Sequence, residues 1–494
     1  MIKPYFIKYR MDTENQEYAD INQTKEIFES FLQRNPTIGQ IFRLIYLFTK
    51  SRFLTNFNFN LGFIIPRLFI LFLAFFQNND FILIIAFSRT IQNVFLDLSI
   101  SSGSEILTKK IKKALKNGEK EKIPKYLLYS IIMTILYGLF IFVPLTILIC
   151  QILIQFSTFS PKIAFSIKNV TFINFLPGLL MSINAQLIAY FQAFKLNSNI
   201  GLVNLFASTC ACTITLLYFF KTYEGLRTFH LISWSTPCFQ FIIFIYFYFI
   251  AFNKKFWIKN LKIVFKDFSI FFKAFFKKAL NNIIMNIDFV VISFTAAVIL
   301  PQNFNGAFNF ILSNFLLFFK INSIHPKLPY FCLKDYIYDK KPNMAKMACL
   351  ISSGVLLFII LIMDFWFLLF LNFLIIYTMP ASSQIYKHIY PIFWVAGVGQ
   401  IWRTHVYFMI DSFRILEKNK LNIFLKILKN FLILMLILPV GIKFNYSGVN
   451  IWISFLLANL AMDIFYHGVL WFENWENLVQ DVDNIKFEDN GNFN

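Results

Sequence analysis

Eleven ionisable residues interrupt otherwise apolar runs of this sequence: Arg67, Arg89, Asp97, Glu105, Asp288, Asp364, Arg403, His405, Asp411, Asp463 and His467. Charge inside lipid is expensive, so each is a candidate for ion binding, proton transfer or solute contact. Asp288 stands about halfway along KKALNNIIMNIDFVVISF. Asn281, Asn282 and Met285 precede it at helical spacing, giving one polar face on an apolar helix. A carboxylate on such a face can bind a proton in one environment and release it in another. Asp288→Asn is nearly isosteric and is expected to fold and insert. In GQIWRTHVYFMID, Arg403, His405 and Asp411 fall within three helical turns. Histidine titrates near neutrality, so His405 is a candidate proton carrier; the alternative is a hydrogen-bonded structural residue. Glu105, Asp411 and His467 fall near the ends of apolar runs, within reach of headgroups and water. Asp364, in ILIMDFWFLLF, has no polar neighbour at helical spacing and would pair across helices. Asp288, Asp411 and His405 are therefore the ion-coupling candidates, and Asn281, Asn282 and Glu105 the cavity-lining ones.

Other chemistries find no motif. The chain has no P-loop for nucleotide, no HExxH and no GxSxG. An intramembrane acyltransferase built on His405 is the one enzymatic alternative. Cys210 and Cys212 are two apart and point to different helix faces, a poor metal pair. No metal, organic cofactor or disulfide framework is expected.

The elements that must hold these residues are long apolar helices. Hydrophobic residues make up 57% of the 494, charged residues 15%, and mean hydropathy is +0.61. A soluble chain carries about 25% charged residues. A membrane helix needs about 20 mainly apolar residues. Twelve segments meet this: 58–77, 81–107, 126–154, 169–193, 199–220, 229–252, 277–300, 304–319, 347–377, 389–411, 421–441 and 448–471. The connections of one side carry 26 Lys or Arg, those of the other 6. That asymmetry puts the basic loops and both termini in the cytosol. It also accounts for the net charge of +20 by basic loops against anionic headgroups, without nucleic acid. Residues 39–52 read as an interfacial helix after a polar tail, together spanning 1–57. Basic connections recur six spans apart, at 108–125 and 320–346. The chain thus reads as an all-α integral membrane protein of two six-helix bundles, 58–252 and 277–471. A basic linker (253–276) joins them, and a cytosolic tail (472–494) follows. Such a plan places solute between the bundles near the midplane.

Several segments resemble the multidrug and toxic compound extrusion (MATE) transporters, especially their eukaryotic branch. GVNIWISFLLANLAMDIFYHGVLWFENWENLVQD is similar to the family's last helix, with Gly448 and Trp452 opening it and Trp475 in the exit. FINFLPGLLMSINAQLIAYFQAFKLNSNIGLVN resembles the fourth, with Pro177 and Gly178 at entry and Tyr190, Phe191, Gln192, Ala193 at exit. KKALNNIIMNIDFVV is similar to the seventh. SGSEILTKKIKKALKNGE and NMAKMACLISSG are lesser echoes. The chain departs from the family after span two, where Lys112, Lys113, Ala114 and Leu115 replace a Gln-Ala-x-Gly element, and in HPKLPYFCLKDYIYDKK before span nine. Asp288 stands where the family has glutamate. Gln400 stands where, counting from Pro391, an acidic residue is expected, so it joins the cavity candidates.

The resemblance implies a secondary antiporter exporting organic, often cationic, compounds in exchange for protons or sodium, acting as a monomer in a plasma membrane or endomembrane. A lipid or lipid-linked-sugar flippase of related plan, and a non-transporting relative, are the alternatives. On the loop-charge topology, single cysteines at Lys116 and Lys262 should resist labelling by an impermeant thiol reagent applied to intact cells, whereas one at Thr158 should react. Strong labelling at Lys262 would overturn the twelve-span order.

Overall fold

The computed structural model describes residues 19–33, 36–52, 79–92, 98–194, 196–251, 265–301, 327–378, 384–416, 419–444 and 448–476, with a few single positions between them. Among the described residues the chain is helical and has no strand. Spans two to seven and nine to twelve each have a helix where the apolar runs require one. Most of span one and nearly all of span eight lie outside the described residues, as do Arg67 and Asp97.

Among the described residues, five helices are long and apolar enough to cross a membrane, and two bent pairs bring the number to seven. Spans ten (Gln384–Ile415) and eleven (Asn419–Phe444) are long helices outside that set, and both carry ions within their length. Their charges are not at the ends alone: Arg403 and Lys429 are buried inside the protein.

The breaks have local causes. In span three, Pro144 has no N–H to give to the carbonyl four residues back. The helix widens there into a π turn, Gly138–Phe142, in which the Val143 N–H donates to the Gly138 carbonyl. Span four breaks between Pro161–Ile173 and Phe175–Ala193 with a 40° bend, just before Pro177. The Asn174 amide at the break donates back to the Val170 carbonyl (2.8 Å). Span seven begins at Phe265, inside the expected linker, and bends by 45° between Ile284 and Ile287. The Asn430 amide of span eleven donates to the Ile284 carbonyl at that bend (3.1 Å), satisfying a backbone group that lipid could not.

Helix contacts sort into two sets. Span four packs on spans two, three and six, and span five on span six. In the second set, spans ten and twelve run along each other, and spans nine, eleven and seven close around them. Span seven joins the sets, lying against span two over most of its length. Aromatic contacts line span seven here: Phe87 of span two meets Phe294 (5.9 Å between centroids), and Tyr129 and Tyr137 of span three meet Phe268 (5.4 Å) and Phe275 (6.2 Å). Gly103 lets the two helices approach, since a Cβ there would lie 2.7 Å from the Phe275 ring.

The expected interfacial helix is Ile38–Arg52. It opens with a reciprocal cap, the Thr37 N–H donating to Gln40 Oε1 (2.8 Å) and the Gln40 N–H to Thr37 Oγ1 (3.2 Å). Ile38, Phe42 and Tyr46 are exposed, the face a headgroup layer would cover. Its other face does not meet lipid: Leu44, Leu47 and Phe48 are buried with Cys332, Leu333 and Tyr336 of the helix Lys327–Tyr338. Residues 19–32 form a helix that folds back over the same place, with Lys25 paired to Asp335 (2.7 Å) and Lys50 to Asp20 (2.7 Å).

Gly103→Ala should strain the span-two to span-seven seam by about 1–3 kcal/mol, read as a lower melting temperature in detergent. Gly354→Ala, whose Cβ would meet open space, is the matched control and should raise stability by about 0.5–1 kcal/mol. Equal behaviour of the two variants would mean that the seam is not close-packed.

Candidate functional site

Three helices of the second set converge on Asp288. The side chain is fully buried. Its carboxylate accepts from Arg403 twice, Nε to Oδ2 at 2.9 Å and Nη2 to Oδ1 at 3.1 Å. Lys429 Nζ donates to the same Oδ2 at 2.8 Å, and the Phe289 N–H to Oδ1 at 3.0 Å. Arg403 Nη2 also donates to the Tyr407 hydroxyl (2.9 Å), one turn along span ten. The guanidinium lies over the rings of Phe289 (3.8 Å) and Tyr407 (4.8 Å). Flat, weakly hydrated and bidentate, it suits a water-free ion pair better than a lysine would. Lys429 completes the group from span eleven, 5.5 Å from the Tyr407 ring. One negative and two positive charges leave this buried group with an excess of one positive charge.

This differs from the polar face expected around Asp288. Asn282 does not line the same site: its amide donates to Ser102 Oγ of span two (2.7 Å), across the seam. Glu105, half exposed, also faces the seam and pairs with Lys278 of span seven (2.7 Å). The side chains of Asn281, Met285 and Asp411 lie outside the described residues. Gln400 is buried one turn before Arg403, and neither atom of its amide has a hydrogen-bond partner among the described residues. Asp364 is buried in span nine.

His405 belongs to a second group, on the other side of span ten. Its Nδ1 lies 2.7 Å from Asp463 Oδ1 of span twelve. Its Nε2 faces Ser353 of span nine, 3.0 Å from Oγ and 3.1 Å from the carbonyl oxygen. His467 Nε2 lies 2.7 Å from the same Oγ, and its Nδ1 lies 2.9 Å from the Asp463 carbonyl oxygen. The two imidazoles stack at 5.3 Å, tilted by 17°. Among the described residues, His405, Asp463 and His467 are the group whose ligand atoms (within 4.8 Å) could hold a metal ion.

Sequence reading passed over Lys429 and Ser353. Lys426, Lys429 and Asn430 form a short polar stripe within LNIFLKILKNFLILML, a signal of an inward face. Ser353 sits in a run of small residues and carries no such mark.

No family model and no curated protein sequence matches the chain. Solved structures do. An inward-facing multidrug resistance MATE family transporter of the MOP superfamily superposes with a TM-score of 0.65 at 11% identity, covering 85% of this chain and 96% of that one. The eukaryotic MATE transporter AtDTX14 gives 0.61 at 11%, over 95% and 98%. The chain has the MATE transporter fold. A MOP superfamily transporter from Pyrococcus furiosus, whose binding pocket is described as reversed in polarity, gives 0.58 at 12%, over 88% and 96%. The likeness spans both helix sets, so the MATE fold accounts for the repeat read from the loops. It makes this an integral membrane protein. Antiport, coupling ion and solute are not carried by likeness of fold.

The Asp288 group alters the expectation for Asp288→Asn. Asparagine has the right shape, but it leaves Arg403 and Lys429 buried without their shared counter-charge. Breaking a buried pair from one side costs about 3–5 kcal/mol. The variant should therefore unfold earlier in detergent, and Lys429→Met added to it should recover part of the loss. A single variant as stable as the parent would mean that the two cations reach water.

Proposed function

We infer that the protein is a secondary transporter that moves small organic solutes across its membrane by alternating access, exchanging them for protons or sodium. The observation that carries this reading is the buried Asp288–Arg403–Lys429 group in a MATE fold. A stable scaffold gains little from burying three ions, because apolar residues of similar volume serve at least as well. A transporter can use a carboxylate that exchanges one cationic partner for another. In this reading Lys429, which gives Asp288 one hydrogen bond, yields it to the coupling ion, while Arg403, which gives two, stays. Asp411 and His405 in span ten, with Asn281, Asn282, Gln400 and Glu105 towards the cavity, remain the supporting candidates. The seam suits repeated opening. Glu105 with Lys278 and Asn282 with Ser102 are polar contacts that water can replace. The reading includes a monomer with both termini cytosolic, in a plasma membrane or endomembrane.

A second reading has a specific observation in its favour. The excess positive charge of the Asp288 group suits an anionic cargo such as a lipid phosphate, and the Pyrococcus furiosus transporter is described as having a pocket of reversed polarity.

Proteoliposomes separate these readings. A proton or sodium gradient should drive a fluorescent organic cation against its concentration, and joining Glu105→Cys to Lys278→Cys with a short cross-linker should stop it until the linker is cleaved. Movement of an organic phosphate but of no organic cation would favour the second reading. Movement of neither, in protein that retains its fold, would leave a non-transporting relative.

A further inference from the structure

The His405 group holds more acceptors than two neutral histidines can satisfy. His405 Nδ1 faces a carboxylate and His467 Nδ1 a backbone carbonyl, so each must carry a proton there. If both rings are neutral, both Nε2 atoms are acceptors, and both face Ser353 Oγ, which has one proton to give. One contact then sets lone pair against lone pair. A single extra proton removes the conflict. Placed on His405 Nε2, it is donated to the Ser353 carbonyl or Oγ, and the hydroxyl donates to His467. Placed on His467 Nε2, it is donated to Oγ, and the hydroxyl turns to His405.

We propose that His405, Ser353, His467 and Asp463 form a binding site for one proton, which passes between the two imidazoles through the Ser353 hydroxyl. In the transfer, His467 Nε2 gives its proton to Ser353 Oγ while the hydroxyl proton moves to His405 Nε2. One N–H and one O–H bond break and one of each forms, and the site keeps one imidazolium and one carboxylate. The placement gives the step a direction. The His467 side chain is 35% exposed near the end of span twelve, whereas His405 is fully buried. A proton accepted at His467 is thus delivered to the interior of the helix set. Among the described residues Asp463 is the carboxylate in contact with either ring. Met409 Sδ takes the remaining contact of the serine (3.5 Å), and Lys346, on the same part of span nine, is held by the Trp471 carbonyl (3.1 Å) and ring (5.3 Å).

Charge separates a proton from a metal ion here. One proton and one carboxylate leave the site neutral. A divalent ion would leave it with one positive charge buried in low dielectric, at substantial cost. The ring nitrogens are also already engaged at hydrogen-bonding distances. The site stands apart from the transport reading, and its test requires no transport.

The experiment is solid-state NMR of the full chain labelled with 15N-histidine, in lipid bilayers and chelator-treated buffer, from pH 5 to 8. The five histidines are assigned with His405→Asn and His467→Gln. In the parent protein, the Nε2 signals of the two rings should move together through uptake of one shared proton. Ser353→Ala should split this into two independent steps, and Ser353→Thr, which keeps a hydroxyl, should restore the joint step. Should Ser353→Ala fail to fold, the parent and Ser353→Thr still decide: independent titration of the rings, or two neutral rings throughout, overturns the proposal. Joint titration that persists in a folded Ser353→Ala also overturns it. So does stoichiometric binding of zinc or cobalt at micromolar concentration with loss of the imidazolium signal, which would make the group a metal centre.

Discussion

A carboxylate shared by two cations, out of reach of water and lipid headgroups, ties together spans seven, ten and eleven. Each buried ion carries a desolvation cost of several kcal/mol, recovered only while the partners keep their geometry. The contact therefore fixes more than distance. Arg403 must present its flat face between Phe289 and Tyr407, which sets the rotation of span ten about its own axis. Two residues on, about 200° around the helix, His405 is then held towards spans nine and twelve. The second polar group depends on the first through that rotation, without a side chain touching both.

Span seven extends the dependence outward. Lys278 and Asn282 lie on one side of its bend and Asp288 on the other. The bend is held by Asn430, next in sequence to Lys429. A change in how Lys429 meets Asp288 displaces the neighbour that satisfies the Ile284 carbonyl, and so acts on the angle between the two halves of the helix. The half that carries Lys278 and Asn282 meets span two through Glu105, Ser102 and the close approach at Gly103. A local change of ion partner thus has a mechanical route to the seam.

Much of this architecture could be read before any coordinates. Apolar runs marked the helices because lipid allows little else. Asp288, Arg403, His405, Asp463 and His467 stood out by being ionisable where ions are costly. Partnership was harder to read. Asn282 stands six residues before Asp288, about 120° around the helix, and with the 45° bend between them one reaches the seam and the other the interior. Lys429 was legible only as part of the polar stripe with Lys426 and Asn430, and its pairing with Asp288, 141 residues away in sequence, took packing to reveal. Ser353 acts through one hydroxyl, which no pattern marks.

The two helix sets share a plan but differ in interior chemistry. Among the described residues, the first is joined mainly by neutral hydrogen bonds: Ser130 to Gln186 (2.5 Å), Thr171 to Ser88 (2.8 Å), Gln240 to Asn204 (2.6 Å), and the Asn184 amide to the Pro237 carbonyl (2.9 Å). Its Arg89 lies over the Phe229 ring at 5.3 Å. Such contacts do not depend on ion or proton concentration. The second set holds the Asp288 ions and His405 in its core, with His467 partly exposed beside it. Two sets of similar shape that respond differently to the ions of the medium can shift against each other when those ions change, because a ligand moves an equilibrium only through its differential affinity for the two states. In the transporter reading proposed above, the asymmetry between the two sets, more than their likeness, would supply the coupling.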